Sequence, residues 1–232
     1  MPVSLVSPFP FALRDIASIM KTTGRLPLRA ALEGARLAVL ALALHGAAAV
    51  ARDFQVRDST GQALDDAVVY LTPEDGKVPV ARPAPASIVQ QHKMFMPLVT
   101  VLQKGAAVDF PNRDDIAHDV YSLSDAKRFE LKLYRGGSKR VVFDKPGVVT
   151  IGCNIHDMMI AYVVVVDTPY FAKSGATGRG ELPQVPAGRY RVSVWHPRLG
   201  NVPAAVVGTF RLPVDASAEA KPLSLTLPLH GD

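Results

Sequence analysis

Apolar and polar residues alternate along this chain in short runs separated by turn residues. Phe54 and Val56 alternate with Gln55 and Arg57, Ser59-Thr60-Gly61 turns the chain, and residues 67–71 are apolar and partly β-branched. That predicts a strand, a turn and a strand. Residues 73–87 contain Pro73, Pro79, Pro83 and Pro85 and read as an irregular linker. Residues 99–102 and 107–110 flank a turn at Lys104-Gly105, and Pro111-Asn112 then opens a loop that carries His118. Phe129, Leu131 and Leu133 alternate with polar neighbours. Arg135-Gly136-Gly137-Ser138 lacks the G-x-x-x-x-G-K spacing of a phosphate cradle and predicts a hairpin. Residues 148–151 lead into a short loop, and 160–166 leave it as a near-continuous apolar run that predicts a fully buried strand. Beyond Asp167 come short strands with frequent turns, at 170–172, 180–182, 185–190, 192–195, 206–212 and 223–227. No segment of 52–232 sustains a 3.6-residue period, so the prediction is an all-β chain of sandwich type.

The 232 residues suffice for one large domain or two small ones. The net charge is +5, and much of it sits at the N-terminus. Five basic and two acidic residues fall in 1–51, leaving 21 of the 26 basic and 19 of the 21 acidic residues for 52–232, a net of +2. There is no basic stripe for nucleic acid. Residues 37–51 are small and apolar, follow several arginines and end in the small-x-small signal Ala49-Val50-Ala51. Residues 1–51 therefore read as a signal peptide, with Met20 a possible true start. The run is shorter than the roughly 20 apolar residues a membrane span needs. The mature chain is expected in the periplasm, off the membrane; the alternative is an uncleaved anchor.

Export sharpens the meaning of the single cysteine. Exported proteins use cysteines in pairs, so a lone Cys153 is intermolecular, inert or a metal ligand. It stands in Gly152-Cys153-Asn154-Ile155-His156-Asp157-Met158-Met159. A thiolate, an imidazole and a thioether on one tight loop are three of the four donors of a blue-copper centre. Cu(I) prefers soft sulfur and Cu(II) prefers nitrogen, so a His₂Cys set with a weak axial thioether serves both states. The second histidine is expected to be His118. Met159 has the axial spacing, with Met158 the other possibility.

His118 together with Cys153-x-x-His156-x-x-Met159 resembles the cupredoxin family, with loop spacing similar to amicyanin. Phe110-Pro111-Asn112-Arg113, six residues from Asn112 to His118, resembles amicyanin and pseudoazurin as well. The stretch from Gly152 to Tyr170 looks like the plastocyanin-like proteins often labelled methylamine utilisation proteins. The resemblance covers about residues 88–168 and implies a Greek-key β-sandwich with one mononuclear type 1 copper. It also implies transfer of single electrons in the periplasm, between redox proteins such as a c-type cytochrome or a periplasmic dehydrogenase. Two departures stand out. Ile155 and Asp157 flank His156 where amicyanin-like loops carry prolines, and Asp119 follows His118 where asparagine is usual. The C-terminal texture, Gly178 with Leu182 and then Pro186-Ala187-Gly188-Arg189-Tyr190, resembles carboxypeptidase-regulatory-like or transthyretin-like sandwiches. Residues 54–71 fit the first two strands of that module. The expected organisation is thus 52–80 as its first strands, 84–167 as an inserted cupredoxin domain and 168–230 as the remainder. The plainer alternative is two sequential domains.

Other residues complete the reading. His92, Met94 and Met96 fall on one face of a predicted strand and form a possible second Cu(I) site, against a plain sheet face beside Phe95. His196 reads as structural, and His45 and His230 as leader and tail. Met158 and Ile160 are candidates for an apolar docking rim. Copper storage or delivery, or partner binding with a structural metal, are the alternatives to electron transfer. Four protein ligands leave no open position for a substrate, so no enzyme is expected.

Overall fold

The computed structural model describes residues 50–79, 83–212 and 222–229. Of the predicted leader only Val50 and Ala51 fall within it, opening the first strand; Met20, His45 and His230 lie outside the described residues. In chain order the strands are β1 (Val50–Asp58), β2 (Val68–Pro73), β3 (Ala86–Ser87), β4 (Val89–Gln91), β5 (Met94–Met96) and β6 (Val99–Gln103). They continue with β7 (Ala107–Pro111), β8 (His118–Ser122), β9 (Phe129–Tyr134), β10 (Ser138–Val142), β11 (Gly147–Gly152) and β12 (Ile160–Val166). The last are β13 (Phe171–Lys173), β14 (Arg179–Val185), β15 (Gly188–Trp195), β16 (Ala205–Leu212) and β17 (Leu223–Leu227). The fold is all-β. The single helical piece among the described residues is a 3-10 turn, Pro197–Leu199, and no helix there is long and apolar enough to cross a membrane.

Two pairs of sheets each enclose a core. In one pair, β10-β7-β3 faces the five-stranded β6-β12-β11-β8-β9. Ile88, Phe110, Val120, Phe143, Val149, Ile151 and Val163 fill the space between them, together with Cys153 and Met159. In the other pair, β14-β1-β17 faces β13-β2-β15-β16 around Phe54, Val56, Leu71, Leu182, Val192 and Leu225. β1 pairs with β14 and β17, and β2 with β13 and β15, so strands from the two ends of the described chain share these sheets.

β12 explains its own composition. Successive side chains of a strand point to opposite faces. Ala161, Val163 and Val165 enter the core with Cys153, while Val164 and Val166 pack with Val68, Val99, Val148 and Trp195 on the other face. Both faces are covered, so the run is apolar throughout instead of alternating. Trp195 is fully buried in this second cluster; its ring centroid lies 5.2 Å from that of Tyr162 and its Nε1 donates to the Gly200 carbonyl at 3.2 Å.

Two expectations are corrected. Gly136 and Gly137 both have positive φ, 64° and 67°, as a tight glycine turn requires, but the flanking strands do not form a hairpin. β9 pairs with β8 and β10 with β7, so the turn carries the chain from one sheet to the opposite one. His92 is not on a strand face with Met94 and Met96. It occupies the turn between β4 and β5 with φ 57°, and Lys93 follows at 55°. Alternation cannot run through a turn, so only Met94 and Met96 share a face, opposite the buried Phe95.

Candidate metal centre

Three local devices bring two distant segments together. The first is the loop before β8. Buried Asn112 donates through Nδ2 to the carbonyls of Ile116 (2.9 Å) and Tyr134 (2.8 Å), and its Oδ1 accepts from the Asp114 N–H at 3.0 Å. This Asx turn fixes the path into His118. The second is a bulge between β8 and β9. His118 pairs with Tyr134 and Val120 with Leu131, so three steps on β9 match two on β8. Bulges re-aim side chains beside sites, and His118, Asp119 and Val120 are all buried in succession. The third is a close approach at Gly152. The Tyr121 ring lies 3.0 Å from where a Cβ on Gly152 would stand, so a bare backbone there lets β8 and β11 meet immediately before Cys153.

The loop 153–159 folds back on itself, the Met159 N–H donating to the His156 carbonyl at 2.9 Å. Asp119 holds it to β8: its Oδ1 accepts from the Asn154 N–H at 2.8 Å and its Oδ2 from the Asn154 amide at 2.6 Å.

The donor atoms of His118, Cys153 and His156 lie within 4.8 Å of one another. His118 Nδ1 stands 3.2 Å from His156 Nδ1, and Cys153 Sγ stands 3.9 Å from the same His156 nitrogen. Bonds of about 2.0–2.1 Å from metal to nitrogen and about 2.3 Å to sulfur, opened by roughly 100–130°, place donors roughly 3.1–4.0 Å apart. The two spacings to His156, 3.2 and 3.9 Å, fall within that range. His118 is fully buried, Cys153 nearly so, and His156 half-buried, so the site has one imidazole at its edge. Met159 is 1% exposed in the cluster that holds Cys153, whereas Met158 is 90% exposed. Met159 thus shares the buried cluster with Cys153, while the Asp119 side chain bonds to the sulfur itself.

Burial pushes the Cys153 thiol up, and the Asp119 carboxylate adds to the push. The backbone N–H groups of Ile155 and Asp119, both bonded to the sulfur, oppose it. Those two donors are also the ones that support a thiolate once it is formed.

Asp114 is the residue that sequence reasoning missed. Its Oδ2 lies 2.7 Å from His118 Nε2, the ring nitrogen opposite the one that meets His156. Asp114 stands four residues before His118, but nothing in the sequence separates it from its neighbour Asp115. Of the expected second site, His92 is exposed in its turn, Met94 is 49% exposed and Met96 half-buried. Ile160, 41% exposed, opens β12 next to the loop.

Comparison with solved structures finds copper proteins. A copper-containing nitrite reductase from Thermus scotoductus aligns at 23% identity and TM-score 0.34, over 41% of this chain and 25% of its own. A purple cupredoxin from Nitrosopumilus maritimus aligns at 22% identity and TM-score 0.30, over 35% of this chain and 99% of its own. An amicyanin variant in the Cu(I) form aligns at 16% identity and TM-score 0.32, over 44% of this chain and all of its own. The chain spans about a quarter of the nitrite reductase's length. No protein-family model matches the sequence, and no curated protein does.

Proposed function

We propose that this chain is an exported cupredoxin that carries single electrons in the periplasm on one mononuclear copper. The observation that carries the reading is the convergence of His118, from the start of β8, with Cys153 and His156, from the loop 153–159, to within 4.8 Å. Bound copper supplies a one-electron Cu(I)/Cu(II) couple. His118, Cys153 and His156 are the strong donors, and Met159, buried beside them, is the weak axial one. A rigid sandwich with its donors already in place keeps the site nearly unchanged between the two oxidation states, which lowers the cost of moving an electron. His156 is the half-buried edge of the donor set. Around it stand exposed Ile155, Met158 and Ile160, an apolar rim for a redox partner such as a c-type cytochrome or a periplasmic dehydrogenase. The sheets of β1, β2 and β13–β17 are a regulatory-like sandwich interrupted by the copper domain; the sharing of those sheets by strands from both ends supports this reading.

Anaerobic copper titration followed by voltammetry tests the proposal. One equivalent bound and a reversible one-electron wave are expected. Tight binding with slow exchange and no reversible wave would assign the chain to copper storage or delivery instead.

A further inference from the structure

The inference concerns Asp114 and rests on the copper reading above. His118 presents Nδ1 to His156 and Nε2 to the Asp114 carboxylate, at 3.2 and 2.7 Å. An imidazole has two nitrogens, and what one of them binds decides the proton on the other. A carboxylate accepts and does not donate, so it places the proton on Nε2 and leaves the Nδ1 lone pair facing His156.

The carboxylate is itself held. Its Oδ1 accepts from the His92 N–H at 2.6 Å and its Oδ2 from the Lys93 N–H at 3.0 Å. Those two residues form the turn between β4 and β5, both with left-handed φ, a conformation that aims consecutive N–H groups at one acceptor. Asn112 fixes the Asp114 backbone from the other side. The His118 side chain is 0% exposed and that of Asp114 12% exposed. The contact is thus shielded from water, and every group in it has a partner that sets its position.

We propose that Asp114 is a positioning residue that fixes the tautomer of His118 and, through the negative charge on its hydrogen bond, favours the oxidised over the reduced state of the site. A carboxylate partner makes an imidazole more basic and a stronger donor to a metal. The stronger donor stabilises the more highly charged ion more. The β4–β5 turn, distant in sequence from every donor, acquires a function by this route: it is the clamp on the clamp.

Two measurements test this. The first uses the metal-free protein with ¹⁵N-labelled histidine at neutral pH. The His118 proton is expected on Nε2 in wild type, and divided between the nitrogens in Asp114→Ala. A wild-type spectrum with the proton on Nδ1 overturns the proposal, and it needs no variant to fold. The second compares copper-loaded wild type with Asp114→Asn, which keeps the shape and removes the charge. Outer partners of metal ligands typically change affinity by about tenfold or more. A tenfold fall in the preference for Cu(II) over Cu(I) is a rise of about 59 mV in potential. An unchanged potential, with the thiolate-to-copper band retained in both proteins, overturns the bias and leaves the copper reading standing. A wild type without that band overturns the copper reading and the bias with it, while the tautomer is still decided by the metal-free spectrum.

Discussion

Asp119 accepts both N–H donors of Asn154, the backbone one at 2.8 Å and the amide at 2.6 Å, and so ties the strand that carries His118 to the loop that carries Cys153. Asp119 is 3% exposed, and removing a buried acceptor strands its donors. Asp119→Ala is expected to lower the stability of the metal-free protein by about 2–3 kcal/mol in urea unfolding. It should also broaden the distribution of copper sites in frozen-solution spectra. Asp119→Asn keeps one acceptor and should lose less. An alanine variant as stable as wild type would show that the loop holds its shape without this tie.

The two adjacent methionines should separate cleanly. Met158 is 90% exposed and Met159 1%. Met158→Ala is expected to stay within about 0.5 kcal/mol of wild type, as surface changes do. Met159→Ala should cost about 2–5 kcal/mol from the cavity it leaves, and it alone should alter the ratio of bands in the copper spectrum. If Met158→Ala changes the spectrum instead, the axial assignment is reversed.

The candidate donors could be picked out from the chain because most of them are local. Cys153, His156 and Met159 lie within seven consecutive residues, where side-chain chemistry and spacing are visible without a fold. β12 was equally readable, since a strand covered on both faces has to be apolar at every step. His118 lies 38 residues from His156, and no local spacing ties it to the loop. Asp114 could not be found this way. Its role depends on a turn at His92 and Lys93, two non-glycine residues at positive φ that give no turn signal in sequence. The same unannounced turn is why His92 was expected on a strand with Met94. The glycine pair at 136–137 announced a turn correctly, but a turn does not state which sheet the next strand will join.

Trp195 ties β15 to β12 across the second valine cluster. Trp195→Ala is expected to cost about 3–5 kcal/mol, because a large buried ring leaves a cavity the strands cannot close. Its cluster lies on the face of β12 opposite the core that holds Cys153, so the spectrum of copper-loaded protein should be unchanged. A large spectral change would mean that the two faces of β12 are mechanically coupled.

His196 supplies a dependence on pH remote from the metal. Burial pushes its pKa down, aided by Arg198, while a bond to the Asp65 backbone opposes the shift. Its Nδ1 accepts from the Arg198 N–H at 3.2 Å, which requires an unprotonated nitrogen. A histidine depressed in the folded state is neutral there and charges more readily when unfolded. Its contribution is therefore present above the ordinary histidine value of about 6.5 and is lost as pH falls below it. Metal-free wild type should lose stability between about pH 7 and 5, and His196→Asn should show a shallower slope over the same range. Equal slopes would mean that His196 is protonated as easily folded as unfolded.

The most direct test of the copper centre is the optical and paramagnetic resonance spectrum of the chain after one equivalent of Cu(II), recorded side by side with Cys153→Ser. The account predicts an intense visible thiolate-to-copper band with a compressed copper hyperfine splitting in wild type, and neither in the serine variant. A band that survives loss of the sulfur, or a wild type with only the weak absorption of ordinary tetragonal Cu(II), would contradict it.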